Sequence, residues 1–90
     1  MYNAERSDKL IKILQKLFKK DRVRYEATLK KIEEVLHSEN PHHYKNLSYD
    51  LKEFKRVHID SHFILIFKVD ENRKMIRFED LQHHDTAYER

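Results

Sequence analysis

The sequence predicts an α+β fold in which an N-terminal antiparallel helical hairpin packs on an antiparallel sheet of three strands, or of four. Up to Leu36, apolar residues recur at the spacing of amphipathic helices. After Tyr49 the period changes to two, which is typical of strands with a buried face. The two patterns are segregated along the chain instead of alternating, and this order favours an α+β domain over an α/β one.

Two capped helices account for the first pattern. Ser7 offers a side-chain acceptor and Asp8 an acid in the first turn, so we place the first helix start there. Asp21 predicts the N-cap of the second helix, which ends before Asn40-Pro41 because a residue preceding proline avoids the α region. The link between the helices is short, so they should pack antiparallel. Their apolar faces comprise Leu10, Ile13, Leu14, Leu17 and Phe18 in the first helix and Tyr25, Leu29, Ile32, Val35 and Leu36 in the second.

Three strands account for the second pattern. Pairing Ile59 with Phe63 on one face makes residues 60–62 a hairpin loop, in which a histidine is tolerated at the left-handed position that glycine would otherwise take. In the strand of residues 63–69 one face is apolar throughout and Ile64 and Ile66 make the other apolar too, so this strand should be central. A polar turn follows, and residues 75–81 form the third strand.

The composition excludes several classes of site. A chain of 90 residues has the length of one domain, which we expect to span residues 1–90. Without glycine there is no phosphate-binding loop of the Walker or dinucleotide type, and without cysteine there is no disulfide, thiol nucleophile or cysteine-bound zinc. The longest apolar run, at residues 63–67, is far shorter than a membrane span, and residues 1–7 do not form a signal peptide. We therefore expect a cytoplasmic protein with no membrane partner and no cofactor.

Cationic residues cluster in the helical half of the chain. Nine Lys and Arg side chains lie between Lys9 and Lys31, against two acids, Asp21 and Glu26. Such a stretch can steer an anionic partner such as nucleic acid, but lysines on helices more often form a solvated face. The charge pattern therefore leaves a nucleic-acid partner open.

Four histidines fall in the strand half of the chain. His58 ends the first strand, His62 lies in the loop beside it, and His83 and His84 follow the third strand. If the third strand pairs antiparallel with the central one, its end meets the start of the central strand. His58, His62 and His84 should then converge at one end of the sheet, with Tyr88 close behind.

Three interpretations of this convergence compete. The histidines can be surface residues that cluster by chance. They can bind a metal, although His58 and His62 straddle a strand and a turn and do not share a helical face. Alternatively, they can do acid–base chemistry on RNA, in which one imidazole takes the proton of the attacking 2′-hydroxyl and another protonates the 5′ leaving oxygen. The cations available to stabilise the phosphate charge would then be Lys55, Arg56 and Arg77.

The strand half also resembles a known family. The run FKRVHIDSHFILIF from Phe54 to Phe67 carries an aromatic, an arginine and a histidine that lead into an apolar central strand. The segment MIRFE that starts at Met75, followed by His84 and Tyr88, continues the likeness. Together with the two helices, this pattern resembles the RelE/ParE superfamily of bacterial and archaeal toxins, and in particular its YafQ-type branch, over nearly the whole chain.

The resemblance implies a RelE-like fold and the function of a toxin in a type II toxin–antitoxin system. Such a toxin is a metal-independent endoribonuclease that cleaves mRNA on the ribosome and is held inactive by a cognate antitoxin. His58 and His84 would be the general acid and base, in an order left open. His62 stands where the branch usually has an acid, and with the terminal aromatic Tyr88 it would orient the RNA or assist proton transfer. The residues that would bind RNA are Lys55, Arg56, Phe63 and Arg77.

Besides His62, the chain departs from the family pattern at three places. Asp80 stands where a cation is expected just after the last strand, and Ile64 matches a central-strand arginine of RelE. Both changes remove charge that stabilises phosphate, so turnover should be slow or rest mainly on the histidines. Residues 1–6 are too short and polar to form the family's N-terminal strand. The alternative function is therefore that of a toxin which acts by binding, either a ParE-like gyrase poison or a non-catalytic relative.

Overall fold

The computed structural model describes residues 2–48, 51 and 53–87. The strands form one sheet in the order β1–β4–β3–β2, with two long helices packed on one face, so the predicted α+β architecture is confirmed. No helix in the described ranges is long and apolar enough to cross a membrane. In chain order the elements are β1 (Asn3–Arg6), α1 (Asp8–Lys20), α2 (Arg22–Leu36), a 3-10 turn (Pro41–His43), β2 (Lys55–His58), β3 (Phe63–Asp70), β4 (Met75–His83) and the one-turn helix α3 (His84–Ala87).

The sheet is mixed, whereas the sequence pattern predicts antiparallel pairing throughout. β2, β3 and β4 form the predicted antiparallel meander, but β1 pairs parallel with β4, so the expectation that the chain lacks an N-terminal strand is wrong. The side chains of this edge strand are mostly exposed and therefore leave no apolar pattern. Backbone hydrogen bonds flank it instead, from the Asn3 amide to the Lys74 carbonyl (2.8 Å) and from the Ser7 amide to the Phe78 carbonyl (2.9 Å).

Both predicted helix caps are confirmed. The Ser7 Oγ accepts a hydrogen bond from the Leu10 amide at 3.0 Å and donates one to the Glu79 carbonyl at 2.5 Å. The Asp21 Oδ1 accepts from the Arg24 amide at 3.1 Å, which starts α2 directly after α1 ends. A side-chain acceptor at each start satisfies an amide that would otherwise lack a partner within the helix.

The core lies on both faces of β3. On the helix face, Leu65 and Phe67 of β3 are fully buried, which confirms the prediction that this strand is central. On the outer face, opposite the helices, Ile64 and Ile66 form a smaller cluster with Leu47 from the segment before β2. Burying an aliphatic or aromatic side chain of this kind contributes roughly 1.5–3 kcal/mol to folding. The other buried members of the helix-face cluster are Leu10, Leu14, Ile32, Val35, Ile76, Phe78 and Leu81.

β4 extends two residues beyond its predicted end and contains a bulge. Phe67 pairs with Phe78 and Ile66 with Asp80, so Glu79 has no ladder partner on β3. The extra residue lets Phe78 and Leu81, three positions apart, both face the helices. Asp80 lies inside β4, within the predicted strand, whereas the family pattern expects this position just after the last strand.

The β2–β3 hairpin has the predicted loop, but a side chain closes it and not a residue in the left-handed conformation. The Ile59 amide donates to the Phe63 carbonyl at 2.9 Å, which confirms the pairing and the three-residue loop. The prediction of a histidine in the left-handed conformation is wrong. Among the described residues, Lys74 alone has a positive φ, at 51°. Instead, the Asp60 Oδ1 accepts hydrogen bonds from the amides of His62 (2.7 Å) and Phe63 (3.0 Å). A carboxylate thus turns the chain where glycine is absent.

A second carboxylate ties the opposite end of the sheet together. Glu71, in the turn after β3, accepts hydrogen bonds from the Tyr2 hydroxyl (2.5 Å), from Nε2 of His42 (2.7 Å) and from the Lys74 ammonium. The Lys74 bond is the largest cause, followed by those of Tyr2 and His42, and together they lower the pKa of Glu71 to about 2. Glu71 therefore joins the N-terminal residues, the 3-10 turn and the β3–β4 turn.

Replacing Ser7 by alanine should lower the free energy of unfolding by about 1–2 kcal/mol, because the variant loses the α1 cap and the hydrogen bond to the Glu79 carbonyl. Urea unfolding monitored by circular dichroism measures the change. Ser61→Ala, at an exposed loop position, is the matched control and should stay within about 0.5 kcal/mol of the wild type. Equal losses in the two variants would contradict the role of Ser7.

Replacing Glu71 by glutamine should remove part of the pH dependence of stability. A carboxylate whose pKa is lowered from 4.5 to about 2 on folding stabilises the protein above pH 4.5, and this contribution is lost as the pH falls towards 2. The wild type should therefore be more stable than Glu71→Gln at pH 6, with the difference vanishing in acid. Urea midpoints measured between pH 2 and 7 test this. Glu26→Gln, at an exposed position on α2, should follow the wild-type curve.

Candidate active site at the histidine end of the sheet

Four histidines meet at one end of the sheet because β3 runs antiparallel to both of its neighbours. The ends of β2 and β4 therefore lie on either side of the start of β3. This geometry brings together His58, His62 and His84, as the hairpin argument predicts, and adds His83. We call this region the histidine end of the sheet.

His58 and His84 form a pair on the outer face. Their ring centroids are 5.5 Å apart, and the ring planes are tilted by 33°. His58 pairs in register with Ile64, whose side chain belongs to the outer cluster, so the imidazole points away from the helices. The His84 amide donates to the His62 carbonyl at 2.6 Å, which holds the start of α3 against the hairpin loop. Two titratable rings thus lie side by side at the protein surface.

His62 and His83 form a second pair towards the helix face. Their rings are stacked with centroids 6.1 Å apart, and Phe63 meets the His83 ring edge-on at 5.3 Å. The Asp85 amide donates to Nδ1 of His83 at 3.3 Å, so the proton of the neutral His83 ring lies on Nε2. The Asp85 carboxylate lies 3.9 Å from the same Nδ1.

The carboxylate of Asp60 fixes the loop that carries His62. Partial burial raises the pKa of Asp60, but hydrogen bonds from the His62 and Phe63 amides and from Arg24 outweigh it, so the pKa lies below its ordinary value of 3.8. The carboxylate is thus an anion at neutral pH and holds the two amides in place. Sequence patterning did not single out Asp60 or Arg24; the signal available in retrospect is an acid at the first position of a hairpin loop without glycine.

The two cations predicted on β2 are engaged by the segment that precedes it. The Lys55 ammonium donates to the Tyr44 carbonyl (3.1 Å) and to Oδ1 of Asn46 (2.9 Å), while Nε of Arg56 donates to the Asn46 carbonyl at 3.0 Å. Arg56 shares the outer face with His58, two positions further along, which places the two residues about 7 Å apart along the strand. Lys55 extends from the opposite face of β2. Of these two cations, Arg56 is the nearer to the histidine pair along the outer face.

Arg77 lies away from the histidine end. It precedes His83 on β4 by a distance of about 20 Å along the strand. Its guanidinium forms ion pairs with Glu5 of β1 and Glu79 of the bulge. Burial lowers the pKa of Arg77, but Glu79 and Glu5 outweigh it, so the pKa is raised and the charge is shared between two carboxylates. Its role in RNA binding stays a prediction.

The positions where the family pattern calls for cations have structural roles in this chain. Ile64 is completely buried in the outer cluster. Asp80 is buried and pairs with Lys9 of α1 at 2.9 Å, which ties the helix to β4. Tyr88 lies outside the described residues. Within those residues, no three His, Asp or Glu side chains are grouped so that they could hold a metal ion.

The arrangement is suited to acid–base chemistry on a phosphodiester. Imidazoles exchange protons near neutral pH, and two of them a few ångströms apart can reach the attacking and leaving oxygens of one phosphate. The aromatic group of Phe63 and His83 beside them offers faces and edges of the kind on which unpaired RNA bases stack.

Solved structures share the fold over almost the full length of the chain. A His-to-Gln variant of YafQ from E. coli superimposes with a TM-score of 0.66 at 22% identity, over 98% of this chain and 99% of that one. The solution structure of the conserved hypothetical protein HP0892 from Helicobacter pylori gives a TM-score of 0.65 at 24% identity, over 98% and 100% of the two chains. At these identities the likeness concerns the fold.

Two curated protein sequences are similar to the chain over almost its full length. No protein-family model matches the chain. An uncharacterized protein of Methanosarcina mazei is 43% identical over 88 residues, covering 98% of this chain and 100% of that protein. A protein of Methanocaldococcus jannaschii named "Putative toxin RelE4" is 53% identical over all 90 residues, which span 94% of its length. The chain therefore belongs to the RelE family of toxins, with the fold that YafQ shares.

Proposed function

We propose that this protein is the toxin of a type II toxin–antitoxin system and that it is an endoribonuclease which cleaves mRNA on the ribosome. Membership of the RelE family supports the class of function. The observation that carries the chemistry is the pair His58–His84, whose rings lie 5.5 Å apart on the outer face of the sheet. A site of two imidazoles suits a reaction in which the substrate supplies its own nucleophile.

The reaction begins with attack of a ribose 2′-hydroxyl on the adjacent phosphorus. One imidazole of the pair, in its neutral form, accepts the 2′ proton as the new P–O bond forms. The other, in its protonated form, gives its proton to the 5′ oxygen as that P–O bond breaks. The products are a 2′,3′-cyclic phosphate and a 5′-hydroxyl, and the two rings exchange protonation states. The order of the two roles within the pair is left open.

The neighbouring residues orient the RNA. His62 and Phe63, with their rings beside His83, flank the pair on the helix side and are placed to contact bases. Of the three cations predicted to bind RNA, Arg56 lies nearest to the pair along the outer face, and Lys55 and Arg77 would contact phosphates further away. Tyr88 would assist proton transfer. Because isoleucine and aspartate replace cations at positions 64 and 80, we expect slow turnover that depends mainly on the imidazoles.

Replacing His58 or His84 by alanine should each reduce cleavage by about 10²–10⁴-fold, because each variant lacks one of the two proton-transfer groups. Primer extension on an mRNA translated in a reconstituted ribosome system measures the cuts. His37→Ala, which removes an exposed histidine at the end of α2, should cleave like the wild type. Undiminished cleavage and toxicity in the His58→Ala/His84→Ala double variant would disprove the assignment.

A surface on α1 supports an antitoxin as the partner. Ile11 and Phe18 are 39% and 47% exposed, one on each side of Leu14 along one stripe of the helix. Together with Arg6, Lys19 and neighbouring residues they line a groove of about 590 Å³. Within the described ranges, no carboxylate pairs with the four lysines of α1 that follow Ile11: Lys12, Lys16, Lys19 and Lys20. An apolar stripe bordered by unpaired cations fits an amphipathic antitoxin helix with acidic flanks.

Replacing Phe18 by glutamate should prevent neutralisation by the antitoxin while leaving toxicity intact, because a carboxylate in the apolar stripe opposes an acidic partner. Growth of cells that co-express toxin and cognate antitoxin reports the effect. Val23→Glu is the matched control, since Val23 is 83% exposed on α2 and does not line the groove. Rescue of the Phe18→Glu variant by antitoxin at wild-type levels would place the antitoxin elsewhere.

The second candidate function is that of a ParE-like toxin that binds DNA gyrase. It is favoured by the structural roles of Ile64 and Asp80 and by the ion pairs of Arg77, which together leave few cations for a phosphate. Induction in cells separates the two candidates. An mRNA endonuclease produces cuts that primer extension maps within open reading frames, whereas a gyrase poison produces broken DNA and intact mRNA.

A further inference from the structure

We propose that Arg24 and Asp60 are positioning residues that set the spacing of His58 and His84. The catalytic consequence rests on the proposed function, whereas the effect on the two rings does not. The side chains of Arg24 and Asp60 form hydrogen bonds with the loop amides, with Asp21 and with each other. They act through the hairpin loop between β2 and β3, to which both histidines are joined.

The first step is the closure of the loop by Asp60. One carboxylate oxygen, Oδ1, accepts both the His62 and the Phe63 amides, at 2.7 and 3.0 Å. The other oxygen, Oδ2, is thereby left to face α2, where it meets Nε of Arg24 at 3.3 Å. The carboxylate therefore has two separable tasks, to close the loop and to attach it to the helix.

The second step is the attachment by Arg24. Its guanidinium donates to Oδ2 of Asp21, the α2 cap, at 2.7 Å and to Asp60 through a different nitrogen. The guanidinium carbon also lies 4.1 Å from the centre of the Phe63 ring. A planar group with donors along two edges can bridge two carboxylates while stacking on a ring, which a lysine ammonium cannot do. Arg24 is half-buried, so these contacts are less screened than those of a surface pair.

The third step joins the loop to the two rings. The His62 carbonyl accepts the His84 amide at 2.6 Å, so the backbone at His84 follows the loop. The Phe63 carbonyl accepts the Ile59 amide at 2.9 Å, so the end of β2 next to His58 follows it as well. A loop released from α2 would keep its internal closure but shift as a unit, and the two rings would shift with it. Misplacement of catalytic groups by about 1 Å can cost about 10²-fold in rate.

The test compares Arg24→Met with Arg22→Met in the full chain. Methionine keeps a flexible apolar stem against Phe63 and removes the charge. Arg22 is the matched control because it neighbours Arg24 on α2 but stacks on Phe18, 3.8 Å from the ring centre, and bonds to the Phe18 carbonyl. Imidazole and amide NMR spectra of the free protein report the positions of the rings. Steady-state cleavage of ribosome-bound mRNA gives kcat and KM.

We expect Arg24→Met to shift the His62 and His84 signals and to weaken the nuclear Overhauser effect between the His58 and His84 rings, with Arg22→Met unchanged. The kcat should fall by about 10–100-fold, and by a larger factor than KM rises, because the shift displaces the two proton-transfer rings while His62 and Phe63 move with the loop but keep their rings. Arg24→Lys, which can reach one carboxylate at a time, should recover part of kcat. Asp60→Asn keeps an oxygen for the loop amides, and its effect should not add to that of Arg24→Met.

Two outcomes decide the matter. If Arg24→Met is less stable but its histidine signals and ring contacts match those of the wild type, Arg24 is merely structural and the inference is overturned. If the wild type itself does not cleave mRNA while Arg24→Met still displaces the rings, the proposed function fails and the positioning role stands. The measurements are made near neutral pH, where Asp60 is ionised.

Discussion

The burial of β3 on both faces is the constraint on which the rest of the structure depends. Its inward residues Leu65 and Phe67 meet the helices, and its outward residues Ile64 and Ile66 are covered by Leu47 and its neighbours. A strand of this kind needs a partner on each side, and short loops make both partners antiparallel to it. The ends of β2 and β4 must then meet beside the start of β3, which is where the histidines lie. The site is thus a consequence of how the core is built.

The absence of glycine shapes the turns and the chemistry alike. Side chains close the chain reversals: Ser7 and Asp21 cap the helices, Asp60 accepts two loop amides, and Lys74 takes a positive φ in the β3–β4 turn. No glycine-rich backbone cradle is available for a phosphate. The proposed recognition of RNA would therefore use imidazoles, aromatic rings and the cations that the ion-pair network leaves accessible.

Periodicity predicted the elements that bury apolar side chains in regular alternation. It missed the exposed edge strand and the bulge, which have no such pattern. The caps at Ser7 and Asp21, the central β3 and the pairing of Ile59 with Phe63 follow from local chemistry and from alternation. β1 was missed because an exposed edge strand is held by backbone hydrogen bonds, which leave no hydropathy signal. The bulge at Glu79 was missed because strict alternation does not allow for the extra residue that brings Phe78 and Leu81 to the same face.

The sequence by itself determined the order of the two long helices and of β2, β3 and β4, the faces of these strands and the end of the sheet at which His58, His62 and His84 gather. These follow from spacing along the chain, because each pattern constrains only near neighbours or hairpin partners. Only the tertiary structure decided that His58 faces His84 and that His62 faces His83. It also decided that carboxylates pair with Arg77 and that Arg24 of α2 holds the loop through Asp60. These are contacts between residues far apart in the chain, and they depend on how the helices are set on the sheet, which no local pattern encodes.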